Sequence, residues 1–471
     1  MISPVALEAL IEVLGKENVF TEKEDLYTFS FDATAAMPKQ VPDVMVTPRS
    51  TEQVAEIVKI ARLHKIPIYP RGSGTNLSGA TIPIEKGIVL CLLHMNRILE
   101  VDAENLSAWV EPGVIIQDLN DAANKFGLIY PPDPGTVTTA TMGGSVAMCS
   151  GGLRGLKYGV TKHYIIGLEV VLATGDVIMW GGKTVKNVTG YDLTALFTGS
   201  EGTLGIITKI LVKLIPAPEA RKSLLVVFDD LDKAGDAIST IIRNKVLPAT
   251  MEILDNVTIR TVESFIQAGL PVHAEAVVLI EVDGYKEGVE REATLVEQIC
   301  RDSGAEDVVV AETDAERDKL WLARRNALPS LAKIKPTTVL EDATVPRSEL
   351  TKMLRAIRAI AEKYDLQIGT FGHAGDGNLH PTILTDSRDT EEMARVEKAV
   401  DEIFDAAIAL GGTLTGEHGI GLAKARYLPL EFGETGVEVL RWIKEAFDPD
   451  YLLNPGKLVL KKPQANETEV S

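Results

Sequence analysis

Three glycine-rich stretches lie in the first half of the chain, and two of them adjoin strand candidates. The first, Arg71–Gly79, follows the apolar run Ile66–Pro70, the second covers residues 131–159, and the third, Gly199–Gly205, precedes a β-branched run. Glycine allows the backbone to approach a ligand closely, and successive backbone N–H groups in such loops can hold a pyrophosphate. The pattern predicts a phosphate-bearing cofactor. A structural turn remains the alternative for the first stretch taken alone.

The spacing of the first stretch disfavours a nicotinamide site. Leu77 stands where the third glycine of the Rossmann fingerprint belongs, and no clear helix follows. A Rossmann site needs both features. The second stretch places small residues where packing favours larger apolar ones, and coil of that length inside a domain is usually functional. We expect it to admit a large flat ligand, with a surface loop as the alternative.

Three of the seven histidines lie in two glycine-bounded motifs near the C-terminus. Residues 371–380 place two histidines on either side of a Gly-Asp-Gly turn, and residues 416–421 join a glutamate directly to a histidine. Two imidazoles and one carboxylate suit a divalent metal that keeps open coordination positions. The predicted metal ligands are His373, His380 and Glu417.

The expected ion is Zn²⁺ or Fe²⁺, with Mn²⁺ as a third candidate. His418 then remains as a spare base beside the metal, a role that suits imidazole because it titrates near neutrality. Asp376 is an alternative ligand, although a carboxylate between two glycines more often serves the turn itself. A purely structural role remains the alternative for each histidine.

Composition narrows the class of protein. A chain of 471 residues is expected to form two or three domains. Its net charge of −19 argues against nucleic acid and anionic membranes as partners. Three scattered cysteines indicate a reduced cytoplasm and supply no ligand set for an iron–sulfur cluster. No signal peptide and no membrane-spanning stretch is expected, so we predict a cytoplasmic protein.

The glycine-rich loops together resemble the flavin-binding domain of the vanillyl-alcohol oxidase family. Tyr69–Gly74 is similar to that family's pyrophosphate loop, and Pro132–Gly135, Thr141–Gly144 and Gly199–Gly205 are similar to its further FAD contacts. The resemblance implies that FAD is bound by the following residues: Pro70, Arg71, Gly72, Ser73, Gly74, Thr75, Asn76, Ser78, Gly79, Pro132, Asp133, Gly135, Thr138, Thr141, Met142, Gly143, Gly144, Ser145, Gly151, Gly152, Tyr158, Gly159, Glu201, Gly202, Gly205, Ile207 and Asn454.

The attachment of the flavin also follows from this resemblance. The family often tethers FAD through a histidine or cysteine in these loops. Thr75 stands where a tethering histidine would be, and Cys149 lies in a segment not usually used for it. We therefore expect FAD to be bound non-covalently.

The C-terminal motifs resemble one branch of that family, the D-2-hydroxy-acid dehydrogenases. This branch includes the large subunit of glycolate oxidase, D-lactate dehydrogenases and D-2-hydroxyglutarate dehydrogenases. The shared motifs are Phe371–His380, Gly416–Gly421 and Asp448–Lys457, and the resemblance covers about residues 40–460. It implies oxidation of a D-2-hydroxy acid to the 2-oxo acid by hydride transfer to flavin N5. Because the three cysteines supply no ligand set for a cluster, we expect an iron–sulfur subunit or an electron-transfer flavoprotein as the electron acceptor.

One position indicates how the substrate carboxylate is bound, and two others indicate the size of the substrate. Arg324 is similar to the family's substrate-carboxylate arginine, with Arg325 as the alternative. The D-2-hydroxyglutarate enzymes carry a lysine where this chain has Leu340 and an asparagine where it has Thr382. Both departures favour a small monocarboxylate, D-lactate or glycolate. A D-2-hydroxyglutarate dehydrogenase, an oxidase that uses dioxygen and a non-catalytic flavin-binding subunit remain alternatives.

The predicted fold is α+β. It has a two-subdomain FAD-binding domain of vanillyl-alcohol oxidase type, a ferredoxin-like substrate domain and a C-terminal helical segment that returns to the flavin. The stiff run Ile215–Pro218 suggests the main boundary. The predicted divisions are a helical lead-in at 1–40, the FAD-binding domain at 41–217, the substrate or cap domain with the metal-binding loop at 218–412, the C-terminal segment at 413–460 and a disordered tail at 461–471.

Overall fold

Three large β-sheets and one two-stranded ribbon organise residues 2–459, the part of the chain that the computed structural model describes. The predicted tail lies outside these residues. The first sheet has the order β1-β2-β4-β3, in which β2, β4 and β3 run parallel. Its elements are α1 Pro4–Leu14, β1 Val19–Phe20, α2 Lys23–Tyr27, β2 Val44–Val46, α3 Thr51–His64, β3 Ile68–Arg71 and β4 Ile88–Cys91.

The second sheet is antiparallel, with the order β5-β6-β10-β8-β9, and the ribbon pairs β7 with β11. The elements of this region are β5 Ile98–Asp102, β6 Ser107–Val110, α4 Ile116–Asn124, β7 Leu128–Ile129, α5 Met142–Met148, α6 Gly155–Tyr158, β8 Ile165–Val171, β9 Val177–Gly181, α7 Leu193–Phe197, β10 Ile206–Lys213 and β11 Ile215–Pro216.

The third sheet is antiparallel and has eight strands, with the order β15-β12-β14-β13-β18-β19-β16 and β17 paired to β19. The remaining elements are β12 Ala220–Phe228, α8 Leu231–Arg243, β13 Thr250–Asp255, α9 Asn256–Ile266, β14 Ala276–Gly284, α10 Lys286–Asp302, β15 Asp307–Val310, α11 Asp314–Arg325, α12 Ala327–Leu331, β16 Thr337–Leu340, β17 Ala343–Thr344, α13 Leu350–Tyr364, β18 Gln367–His373, β19 Asn378–Thr385, α14 Thr390–Ala409 and α15 Leu428–Phe447.

Both faces of this third sheet are buried. Successive side chains of a strand point to opposite faces. Leu224, Val226 and Phe228 of β12 therefore pack with α8, α10, α13 and α14, whereas Leu225 and Val227 pack with α9, α11 and α12. A strand covered on both sides reads as a continuous apolar run, so a carboxylate inside one needs a specific partner.

The second glycine-rich stretch differs from the continuous coil expected from its composition. It contains α5 and α6. Helix α5 begins because the Thr141 side chain accepts the N–H of Gly144, and Met142 and Val146 anchor it in the core. The small residues of this stretch therefore form part of a short helix as well as loops.

The C-terminal segment returns to the first sheet. The Ile68 N–H donates to the Leu452 carbonyl at 2.8 Å, and the Asn454 N–H donates to the Ile68 carbonyl at 2.7 Å. The buried Lys444 ammonium donates to the carbonyls of Thr203 and Leu453. These bonds place Asn454 beside the glycine-rich loops. Among the described helices, none is long and apolar enough to cross a bilayer.

Candidate active site

The two histidines of the first motif lie on adjacent strands of one hairpin. His373 ends β18 and His380 lies within β19, with Phe371 opposite His380 in the register. The expectation that they lie in loops is therefore wrong, because strand pairing extends to the turn itself. That turn needs Gly377, whose φ is +78° and where a Cβ would stand 2.1 Å from the Val345 carbonyl oxygen. The hairpin brings the two rings to 5.2 Å, perpendicular to each other.

Glu417 completes a set of three donors with these histidines. Its Oε1 lies 3.1 Å from His373 Nε2 and 3.3 Å from His380 Nε2. One ligand atom from each of the three residues falls within 4.8 Å of the others. Two imidazole nitrogens and a carboxylate oxygen that converge in this way fit a divalent metal. Asp376 is not part of this group, and burial raises its pKa to about 7.

Charge compensation is strong at these donors. Burial would lower the pKa of His373, but the carboxylates of Glu252 and Glu417 raise it well above its usual value. Burial would likewise raise the pKa of Glu417, but His373 and His380 hold it well below its usual range. The site therefore favours an ionised Glu417.

Asp342 holds the second motif in place. Its Oδ2 accepts the Thr415 hydroxyl at 2.6 Å and the N–H groups of Gly416, Glu417 and His418 at 2.8, 2.9 and 2.9 Å. Its Oδ1 accepts the side-chain amide of Asn378 at 2.6 Å. Asp342 also lies near His380 and His418 in a second group of possible metal donors. Because five donors already use its oxygens, we interpret it as a support for the loop.

His418 lies beside the metal-ligand set. Its ring stacks on that of His380, with centroids 5.0 Å apart and planes 11° from parallel. Burial lowers its pKa to about 4, so the ring is neutral at pH 7. Its Nδ1 has no hydrogen-bond partner among the described residues. Because a neutral imidazole keeps a lone pair on one nitrogen, the ring can act as a proton acceptor.

Arg324 is buried in α11, with 7% of its surface exposed. Its Nε and Nη2 donate to Glu252 Oε2 at 2.7 and 2.6 Å, and its guanidinium lies 4.8 Å from the centre of the Phe371 ring. Arg325 is exposed. Glu252 was not predicted from the sequence; the local signal was an acid inside the otherwise apolar run 251–254, which gives no indication of its partners.

A single cavity of about 360 Å³ joins these residues to the glycine-rich loops. A Cβ at Gly72 would stand 2.2 Å from Thr141 Oγ1, so the first two loops meet too closely there for a larger residue. This glycine-lined cradle fits a large flat cofactor with a pyrophosphate. The predicted FAD residues on its wall are Pro70, Arg71, Gly72, Ser73, Gly74, Thr75, Asn76, Gly135, Thr141, Gly143, Gly144, Ser145, Glu201, Gly202, Gly205, Ile207 and Asn454.

Two family models account for most of the chain. The model described as FAD binding domain matches residues 42–181, and the one described as FAD linked oxidases, C-terminal domain, matches residues 217–458. The chain belongs to the FAD-linked oxidases. The predicted vanillyl-alcohol oxidase family, the FAD cofactor and the oxidoreductase class are thereby confirmed.

This FAD-linked oxidase has similar relatives along nearly its whole length. It is 52% identical to the glycolate oxidase subunit GlcD of Bacillus subtilis (strain 168), with 98% of each chain covered. It is 37% identical to a D-lactate dehydrogenase of Anaerostipes hadrus, again with 98% of each covered. The structure of p-cresol methylhydroxylase with substrate bound matches at a TM-score of 0.79 and 21% identity, covering 97% of this chain and 96% of that one. That likeness confirms the fold.

The remaining predicted flavin residues of this oxidase lie away from the cavity wall. Met142 is buried in the core and Thr138 is exposed. The Tyr158 hydroxyl donates to Asp283 at 2.7 Å, and the Ser78 carbonyl accepts two N–H groups of the C-terminal segment. Gly151 adjoins Glu417. The predicted residues not on the wall are Ser78, Gly79, Pro132, Asp133, Thr138, Met142, Gly151, Gly152, Tyr158 and Gly159.

Glu201 lines the cavity of the oxidase, but its carboxylate is hydrogen-bonded to the C-terminal segment. The oxygens accept the N–H groups of Ile420 and Gly421, both at 2.7 Å. Burial raises the pKa of this carboxyl to about 7. Its side chain therefore ties the third glycine-rich loop to the loop that carries Glu417 and His418.

The positions used to predict substrate size fall in two places. Leu340 lines the cavity, whereas Thr382 is fully buried and donates to the His380 carbonyl at 3.2 Å. Further apolar residues line the cavity. They were not predicted as site residues, because in the sequence they are indistinguishable from core residues. They are Met148, Leu153, Leu328, Pro329 and Phe371.

Proposed function

We propose that this FAD-linked oxidase oxidises a small D-2-hydroxy acid, D-lactate or glycolate, to the 2-oxo acid and requires a divalent metal. The observation that carries the proposal is the single cavity shared by the glycine-rich cradle, Arg324 and the donors His373, His380 and Glu417. The names of two relatives, a glycolate oxidase subunit and a D-lactate dehydrogenase, support the same substrate class.

Each group has a separable task in this proposal. When bound, FAD supplies the acceptor for the hydrogen that leaves substrate C2, and a divalent ion at the three donors supplies Lewis acidity that lowers the pKa of the substrate hydroxyl. Arg324 binds the substrate carboxylate with the donors that Glu252 leaves free. His418 accepts the hydroxyl proton because its buried ring is neutral at pH 7.

The apolar wall limits what else can bind. Leu340 and Phe371 give the substrate end of the cavity no charge for a second carboxylate, and both help to exclude water. Electrostatic interactions strengthen where water is excluded. Thr75, which cannot tether a flavin, lies on the wall of the cradle and supports non-covalent FAD.

We also propose an electron-accepting partner, an iron–sulfur subunit or an electron-transfer flavoprotein. The relative from Bacillus subtilis is named as a subunit of glycolate oxidase. Two of the three cysteines of this chain, Cys91 and Cys300, are buried in different domains, so they do not form a cluster site together. The reduced flavin therefore needs an acceptor from outside the chain.

The test combines a substrate panel, a chelator and two histidine variants. D-lactate and glycolate should be oxidised with an artificial electron acceptor, and chelation should remove both metal and activity until Zn²⁺, Fe²⁺ or Mn²⁺ is restored. His380→Ala should lose metal by elemental analysis while keeping its flavin. His273→Ala, an exposed histidine paired with Glu306, serves as the matched control.

The outcomes separate the parts of the proposal. Unchanged metal content in His380→Ala would refute the metal site. Activity that survives complete metal removal would refute metal dependence alone. Absence of oxidation of any 2-hydroxy acid would refute the substrate class, and hydrogen peroxide formed in proportion to product would replace the partner with dioxygen.

A further inference from the structure

One buried carboxylate contacts both halves of the substrate-binding apparatus. Glu252 has no exposed surface. Its Oε1 lies 2.7 Å from His373 Nδ1, and its Oε2 accepts from Nε and Nη2 of Arg324 at 2.7 and 2.6 Å. A single side chain thus separates the proposed metal ligand from the proposed substrate-carboxylate arginine.

The position of Glu252 in the fold makes this bridge rigid. Glu252 lies in β13, where its neighbours Met251 and Ile253 pack into the core on the opposite face. The adjacent strand β18 carries His373 and pairs with β13 through Ile253 and Gly372. Arg324 approaches from the last turn of α11. The carboxylate is therefore fixed by a central strand and receives its two partners from two other elements.

The contact fixes the hydrogen-bonding state of His373. Because Nδ1–H donates to the Glu252 carboxylate, the proton that the ring releases when a metal binds is the one on Nε2, and Nε2 becomes the ligand nitrogen. Nε2 of His373 is the nitrogen that faces Glu417, at 3.1 Å. Metal-binding histidines commonly have such a carboxylate behind them, and it orients the ring and increases its basicity.

The same carboxylate fixes the plane of Arg324. Two donors that converge on one oxygen leave the guanidinium little freedom, and the Phe371 ring covers it at 4.8 Å. A guanidinium held in this way keeps its remaining donors pre-organised for a second carboxylate. Its orientation is then set by the same atoms that set His373.

We infer that Glu252 is a positioning residue that couples metal binding to recognition of the substrate carboxylate. The inference rests on the proposed function, because His373 as metal ligand and Arg324 as substrate-carboxylate group are both part of that proposal. Glu252 does not line the cavity. It acts through His373 on the metal side and through Arg324 on the substrate side.

An amide at this position cannot satisfy both partners. In Glu252→Gln, the one oxygen can face Arg324, in which case the NH₂ group faces His373 and demands a lone pair on Nδ1. The ring proton then moves to Nε2, which can no longer bind metal. If the amide turns the other way, the NH₂ group opposes the guanidinium donors. The first orientation keeps two charge-assisted bonds, so metal affinity should suffer most.

The experiment measures metal affinity and substrate affinity separately in Glu252→Gln. Metal dissociation is followed by competition with a chelator, and flavin content and thermal unfolding show that the fold is intact. Metal affinity should fall about 10- to 100-fold, the usual effect of losing such a support. With metal saturating, KM for D-lactate should rise by less than in Arg324→Lys. Glu281→Gln is the matched control, because Glu281 is a buried acid of the adjacent strand β14 that accepts from Ser223 at 2.9 Å.

Each result decides the inference. If Glu252→Gln binds metal as tightly as the unchanged protein, the inference is overturned. Equal losses in the Glu281→Gln control would also overturn it, since burial alone would then explain them. If Glu252→Gln does not fold, Glu252→Asp replaces it, and its shorter carboxylate should lose either His373 or Arg324. Unchanged metal content in His380→Ala would instead refute the metal site itself.

Discussion

Arg324 and Arg325 are neighbours in α11 with opposite surroundings. Arg324 is buried against Glu252 and Phe371, whereas Arg325 is exposed at the cavity rim. Lysine keeps the charge but not the planar fork. Arg324→Lys should therefore raise KM for D-lactate by about 10-fold or more, which corresponds to about 1.4 kcal/mol. Arg325→Lys should change it by less than about 2-fold, since exposed ion pairs contribute little. Steady-state kinetics on both variants provide the check, and a larger effect at Arg325 would reverse the assignment.

The protonation of His418 makes a prediction about pH. The neutral ring is the form that accepts a proton, and burial lowers its pKa from its usual value to about 4. Activity should therefore be present above this pKa and be lost as the pH falls through about 4, not through the ordinary value of about 6.5. The pH profile of kcat/KM, measured with excess metal and with flavin absorbance as a check on folding, tests this. An acid limb near 6.5 would contradict the role of His418.

Residues of distinctive chemistry could be predicted at this scale, and their supports could not. His373, His380 and Glu417 stand out because two imidazoles and a carboxylate in glycine-bounded motifs have few other uses. Glu252 and Asp342 act only through partners that lie 72 to 121 and 36 to 76 positions away in the chain. Nothing local in the sequence indicates such pairings. Leu153 and Phe371 line the cavity but were not predicted to do so, because an apolar residue at a ligand site looks the same in sequence as one in the core.

At the scale of elements, the loop that carries Glu417 and His418 depends on Asp342. Four donors of this loop converge on one oxygen, at 2.6 to 2.9 Å. An asparagine there carries no charge. In one orientation its neutral oxygen faces the four donors, and in the other its NH₂ group opposes three backbone N–H groups. Bonds to a charged group are worth about 1.5–3 kcal/mol. Asp342→Asn should therefore lower kcat for D-lactate by about 10- to 100-fold.

The flavin content of Asp342→Asn should stay normal, because Asp342 does not line the cavity. Glu341→Gln is the neighbouring control, since burial raises the pKa of Glu341 to about 7 and an amide is close to its neutral form. It should retain most of its activity. If both variants lose activity alike, the loss reflects disturbance of the β16–β17 connection and the role of Asp342 is wrong.

The elements themselves were predicted where periodicity was strong. The apolar patterns predict helices at 348–364 and 390–410 and strands at 206–214 and 276–282, and α13, α14, β10 and β14 lie within two residues of these bounds. Helix α5 was missed because its glycines and serine have low helix propensity, and only a capping bond and tertiary packing stabilise it. Strand β13, with its buried Glu252, was missed because an acid interrupts its apolar run.

At the scale of the whole molecule, the site exists only where distant parts of the chain meet. The cavity takes Gly72 from the first sheet region, Thr141 from the second, His373 from the third and Asn454 from the returning C-terminal segment. Family resemblance predicted that Gly72, Thr141 and Asn454 share FAD, whereas His373 was predicted as a metal ligand from its own motif, and no local pattern placed it beside the other three. Glu201 connects two of these parts, because its carboxylate accepts two N–H groups from the loop that follows Glu417 and His418.

Substrate size and handedness follow from the shape of that shared cavity. Leu340 lines the wall where a second carboxylate would need a cation, and Lys333 and Lys335 do not line it. Lys335 is already bound to Glu392 at 2.6 Å. An unpaired buried charge costs about 2–5 kcal/mol. D-lactate or glycolate should therefore exceed D-2-hydroxyglutarate in kcat/KM by about 30-fold or more, since about 1.4 kcal/mol is tenfold. L-lactate should be poor, because inversion at C2 turns its hydrogen away from the flavin while Arg324 and the metal hold the other groups. Measuring kcat/KM for the four acids decides the matter. A preference for D-2-hydroxyglutarate would contradict the prediction and point to Arg325, the exposed cation at the cavity rim, as the partner of the second carboxylate.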